Sequence, residues 1–168
     1  MNFQNIVSFA FSALLLPAMN QAGQGFTSTP PRPTRAVQML IDKALQRPVA
    51  DRASDFAEAI NEAVTSRDYV GFDVAQSDYR DNLVARKLST DAERFVRDQI
   101  ASASASSDPL REATATEVLG KLLRAMGRLT EAIPLYERAL KQRTGCKDLF
   151  GEAESLEDLA EANWDLHQ

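Results

Sequence analysis

Ten residues from Asp91 to Ile100, DAERFVRDQI, lie without a gap over EAIPLYERAL, Glu131 to Leu140, at an offset of forty. Ala92 falls on Ala132, Phe95 on Leu135, Val96 on Tyr136, Arg97 on Glu137 and Ile100 on Leu140. The same offset carries Leu119-Gly120 onto Leu159-Ala160, so two different segments share one period. A period of about 20–50 residues is what stacked supersecondary units leave in a sequence. The units are helical: from Thr34 onward apolar residues recur three and four apart, and strand-like alternation is missing.

This spacing predicts helices over Thr34–Gln46, Ala50–Thr65, Phe72–Lys87, Thr90–Ala101, Pro109–Met126, Thr130–Arg143 and Glu152–Leu166. Asp108-Pro109 reads as a cap followed by a first-turn proline, and Thr90-Asp-Ala-Glu93 as a capping box. Pro48 follows the first helix. The run ASASASS, Ala101 to Ser107, is small and polar and reads as a mobile linker. Cys146 is expected in a loop after Arg143.

The clearest hairpin lies in GKLLRAMGRLTEAIPLYERAL, Gly120 to Leu140. Leu119, Leu122 and Leu123 form an apolar ridge, and Gly120 removes a side chain so that another backbone can approach. Gly127 ends the helix where a left-handed or tight conformation is needed. In the next helix Ala132 and Ala139 bracket Leu135 and Tyr136. Such a hairpin has apolar surface on more than one side, and each large side chain left wet forgoes about 1.5–3 kcal/mol. It must stack on a neighbour.

Leu119-Gly120, Leu123, Gly127, Ala132, Tyr136 and Ala139 resemble the tetratricopeptide repeat. The forty-residue period, PLYERAL at Pro134–Leu140 and SLEDLAE at Ser155–Glu161 are closer to its kinesin-light-chain-like branch. The resemblance covers Thr90 to Leu166; Thr144 stands where the family often has proline, and Arg80 occupies the small-residue position of the preceding unit. Thr34 to Lys87 is either degenerate repeats or something else. The resemblance implies an all-α fold of stacked antiparallel helical hairpins, a short α-solenoid over residues 34–168. It also implies a non-catalytic scaffold that receives a peptide or helix of a protein partner in a groove lined by the first helices of successive units.

Physical reasoning points the same way, since stacked hairpins expose one long surface while their shared core stays closed. On that surface Glu117, Lys121 and Arg124 of one first helix and Glu157, Glu161 and Trp164 of the next are the candidate partner contacts. Trp164 would supply apolar or cation–π contact. The competing reading is solvated charges and a packing tryptophan. The family's carboxylate clamp of paired Lys and Asn side chains is not evident. The acids of Glu152–Leu166 clothe most of that helix, which suits either a solvating cap or a helix whose partner lies further along a longer array.

Residues 1–33 are different material. Up to Ile41 there is no acid, and Ile6–Ala18 is an uncharged apolar run of thirteen, short of the about 20 residues that cross a bilayer. Its length suits a secretory signal, although the N-terminal cation is missing, and GFTSTPPRPTR with Phe26 is similar to plastid-type leaders. The alternatives are a mobile tail, an arm packed on the body, or a membrane anchor that would make the chain a structural spacer.

A net charge of −5 argues against a general grip on nucleic acid. The single cysteine excludes an internal disulfide. Phosphate-cradling, dinucleotide-binding, nucleophile-elbow, HExxH and paired CxxC motifs are missing. The lone histidine, His167, is penultimate, where a fraying end holds no general base in place. The sequence therefore points to no catalytic residue, no metal site, no cofactor and no small-molecule substrate.

Overall fold

The computed structural model describes residues 31–168, and among these every regular element is helical. The leader motifs, Ile6–Ala18 and Phe26, lie outside the described residues. The helices are α1 Arg35–Leu45, α2 Ala53–Ser66, α3 Tyr69–Ala85, α4 Ser89–Ala105, α5 Pro109–Ala125, α6 Leu129–Cys146 and α7 Leu149–Leu166, with a short 3-10 turn at Val49–Asp51. No described helix is long and apolar enough to cross a membrane.

The forty-residue period is visible in the backbone. α3, α5 and α7 start at Tyr69, Pro109 and Leu149, while α4 and α6 start at Ser89 and Leu129. Five residues twenty apart, Arg67, Lys87, Ser107, Gly127 and Lys147, carry positive φ between 54° and 74°. After each, the next residue donates its N–H to a carbonyl five positions back: Asp68 to Ala63, Leu88 to Leu83, Asp108 to Ala103, Arg128 to Leu123 and Asp148 to Arg143, all at 2.9–3.0 Å. This bond closes a helix on a left-handed residue. Gly127 adopts it freely, as its position predicts. The other four carry side chains, for which the left-handed conformation costs roughly 1–2 kcal/mol, so packing on both sides must hold those turns.

Three aspartates mark the odd-numbered starts. The Oδ1 of Asp68, Asp108 and Asp148 accepts the N–H of Gly71, Arg111 and Gly151 at 2.7, 3.1 and 3.1 Å. Each thereby satisfies a free amide of the first turn. The second oxygen reaches a neighbouring element in every case. It accepts from the Thr34 N–H at 2.7 Å, the Tyr69 hydroxyl at 3.4 Å and the Arg143 guanidinium at 2.9 Å respectively.

Sequence neighbours pack throughout, and the principal next-but-one contacts are α1 with α3, α3 with α5 and α5 with α7. The odd-numbered helices thus stand side by side, with an even-numbered helix folded back from each of the first three. Apolar clusters fill the layers: Val37, Ile41, Ile60 and Phe72 in the first hairpins, Leu119, Leu123, Tyr136 and Ala162 in the last, and Leu83, Ala92 and Leu122 between. Phe95 packs against all three.

Gly120 admits the ring of the fully buried Tyr136 rather than a backbone, because an added Cβ would sit 2.8 Å from the ring edge. One unit earlier the pair is exchanged in size: Arg80 replaces the glycine and the buried Val96 replaces the tyrosine.

Several boundaries differ from the sequence reading. ASASASS is not a linker: α4 runs to Ala105, Ala103 is fully buried, and Ser106 donates back to the Ser102 carbonyl at 2.9 Å. Thr90–Glu93 forms no capping box, since the helix begins at Ser89 and its cap position, Leu88, makes no side-chain bond. Glu93 bonds Arg97 and Arg128 instead. Cys146 lies in the last turn of α6, free and half-buried.

Gly120→Ala should lower stability by about 1–2 kcal/mol, because displacing an immobile aromatic ring outweighs the roughly 1 kcal/mol gain in helix propensity. Thermal denaturation checks this; an unchanged or raised midpoint would show that the ring has room to move.

Candidate functional site

The six candidate contacts lie on α5 and α7, and the structure divides them. Glu117 is not a surface contact: it is 2% exposed, a correction to its expected place in a groove. Its Oε1 takes the Lys121 ammonium at 3.0 Å, and its Oε2 takes the Ser155 hydroxyl at 2.8 Å and the Arg143 guanidinium at 3.2 Å. Arg143 comes from α6 and Ser155 from α7, so one carboxylate ties three helices. The physical reason is desolvation: a buried carboxylate persists only if its lone pairs are met by donors and its charge by cations.

Lys121 also reaches Asp158 of α7 at 3.2 Å, and Arg124 bonds both Asp165, at 2.6 Å, and Glu161. Of the predicted residues, Arg124 of α5 and Glu161 of α7 bond each other across the helix pair, and Lys121 bonds Asp158 there. Glu157 is exposed, and Trp164 is half exposed.

The sequence reading missed Asp73, Arg143, Glu154, Ser155 and Asp158. Burial first, then the nearby Glu117 charge, pushes Glu154 up to about 7. Asp158 rises to about 7, chiefly by burial that its contact with Lys121 does not offset. Lys121 is shared between Glu117 and Asp158, so neither acid has the cation to itself. Asp73 on α3, half-buried and electrostatically coupled to Lys121 and Glu117, is raised by burial as well. Burial alone would also raise Glu117, but Lys121, Arg143 and Ser155 outweigh it and hold the carboxyl below its ordinary range. Around Glu117 the four carboxylates Asp73, Glu117, Glu154 and Asp158 thus outnumber the cations Lys121 and Arg143 that meet them. A sequence signal for some of this existed in the helical spacing of Glu154, Asp158 and Asp165; the identity of their partners did not follow from it.

Among the described residues no group of three or more His, Cys, Asp and Glu side chains is placed to hold a metal ion. The arrangement can present charge to a partner and exchange protons near neutrality.

Asp158 and Glu154 bind protons more tightly folded than unfolded, so their ionisation opposes folding. Stability should therefore rise on acidification from about pH 8 to pH 6, by on the order of 1–2 kcal/mol. Glu117 runs the other way: its contribution is complete above its unfolded pKa of about 4.3 and is lost as pH falls below it. Thermal midpoints across this range should peak between the two regimes. Asp158→Asn should raise the midpoint on the alkaline side and flatten the slope there; a variant with the parental slope would remove Asp158 from the cause.

Comparison with protein-family models, curated proteins and solved structures finds no match for the chain.

Proposed function

We propose that this chain is a non-catalytic scaffold of the tetratricopeptide-repeat kind, which takes an extended peptide or a helix of a protein partner along the face where its odd-numbered helices adjoin. One observation carries the reading: α1, α3, α5 and α7 stand in a row, and the α5–α7 seam is lined with charge. A row of helix faces held by a common core offers a long surface without needing a cavity, which is how repeat arrays bind. The cations of this seam are already paired, Lys121 with Glu117 and Asp158 and Arg124 with Glu161 and Asp165. Paired charges of this kind lose little on contact and select partners by pattern more than by raw affinity. The partner for such a surface bears both cations and anions, with an apolar group for the half-exposed Trp164.

A swap of Arg124→Glu with Glu161→Arg keeps an ion pair inside the protein while reversing the pattern shown to a partner. Interactors captured by the parental chain from a lysate should bind the swapped chain about tenfold more weakly. Equal retention of every captured protein would remove this face as the binding surface.

A further inference from the structure

The last described helix, α7, carries a second surface, distinct from the α5–α7 seam. Along α7, Leu149, Ala153, Leu156 and Ala160 recur four, three and four residues apart, so they form one stripe. Leu149 is 66% exposed and Leu156 42%, and Ala160 is exposed with them. The core side of the helix, by contrast, holds the buried Gly151, Ser155 and Ala162.

The repeat states what belongs on such a stripe. Forty residues earlier its positions are Pro109, Ala113, Thr116 and Gly120 of α5, of which Ala113, Thr116 and Gly120 are buried. There α6 folds back on α5: Tyr136 covers Gly120, and Arg138 and Arg143 pair with Glu112 and Glu117. The same offset carries Glu112 and Glu117 onto Glu152 and Glu157 of α7. At 3.6 residues per turn these two acids flank the stripe, one on each side. α7 contains six acids and no lysine or arginine.

We propose that the outer face of α7 is a docking surface for an amphipathic helix with basic flanks, supplied by a partner protein and laid on α7 as α6 is laid on α5. Charge favours this occupant over a second copy of the chain, because two such faces would set Glu152 and Glu157 against acids. The fit also restricts the partner's central residue. Ala160 has a Cβ where Gly120 has none, so the position equivalent to Tyr136 takes a side chain smaller than tyrosine.

The test uses the 168-residue chain and a fluorescent peptide of residues 128–147 carrying Tyr136→Leu. Fluorescence anisotropy should rise with the chain, and affinity should fall about tenfold with Leu156→Glu and with Glu152→Lys/Glu157→Lys. A peptide carrying Arg138→Glu and Arg143→Glu should in turn regain affinity for the Glu152→Lys/Glu157→Lys chain. Circular dichroism verifies that the variants keep their helices, and the charge variant, which removes no buried apolar side chain, stands if Leu156→Glu does not fold. No binding, or binding that both α7 variants leave unchanged, overturns the proposal. So does sedimentation showing that the chain self-associates through Leu156 without taking the peptide, which would assign the face to a second copy. The Arg124/Glu161 swap leaves this stripe intact, so failure here and failure at the seam are separable.

Discussion

Phe95 holds a place that no other described residue holds: it touches the apolar clusters of the first hairpins, the last hairpin and the layer between. Its ring meets Tyr79 edge-on at 4.7 Å, and Tyr79 in turn lies 5.8 Å from Phe56. No hairpin here can cover both of its apolar sides, so each depends on a neighbour, and the dependence passes through this aromatic line from α2 to α4 and on to α5. The turns depend on it too. Four of the five left-handed closures are made by residues with side chains, a conformation stable only when the packed helices on either side leave the backbone no alternative.

The charged seam is a consequence of the same geometry. Because α5 and α7 adjoin, Glu117 is enclosed from three directions and requires Arg143 and Lys121 beside it, and these in turn are too few for Asp158, Glu154 and Asp73. A face built this way is held together by ion pairs while storing unneutralised acid near pH 7. That combination suits selectivity more than strength, since buried charges repay their desolvation only with a well-matched set of donors.

Particular elements show how far the sequence could be read. The hairpin around Gly127 was legible because glycine, the small Ala132 and Ala139, and the large Tyr136 each carry a local reason for their position. ASASASS misled because composition describes a segment in isolation, whereas Ala103 is helical by virtue of what covers it. The caps at Asp68 and Asp148 were overlooked although they stand forty residues either side of Asp108, the only one of these three aspartates that was read as a cap. Applied to capping residues as well as apolar ones, the period would have found all three. Glu117 failed as a surface residue because helical spacing assigns a side chain to a direction along the helix, not to the neighbour waiting there.

The sequence by itself determined the helical class, the forty-residue recurrence and the closure at Gly127, because periodicity and backbone freedom are properties of residues close in the chain. Only the tertiary structure decided that the odd-numbered helices adjoin, that Glu117 is buried among Arg143, Lys121 and Ser155, and that no other described helix covers the stripe of α7. Those outcomes depend on which surfaces meet, and in a stacked array that is settled by side chains some forty positions apart competing to leave water together.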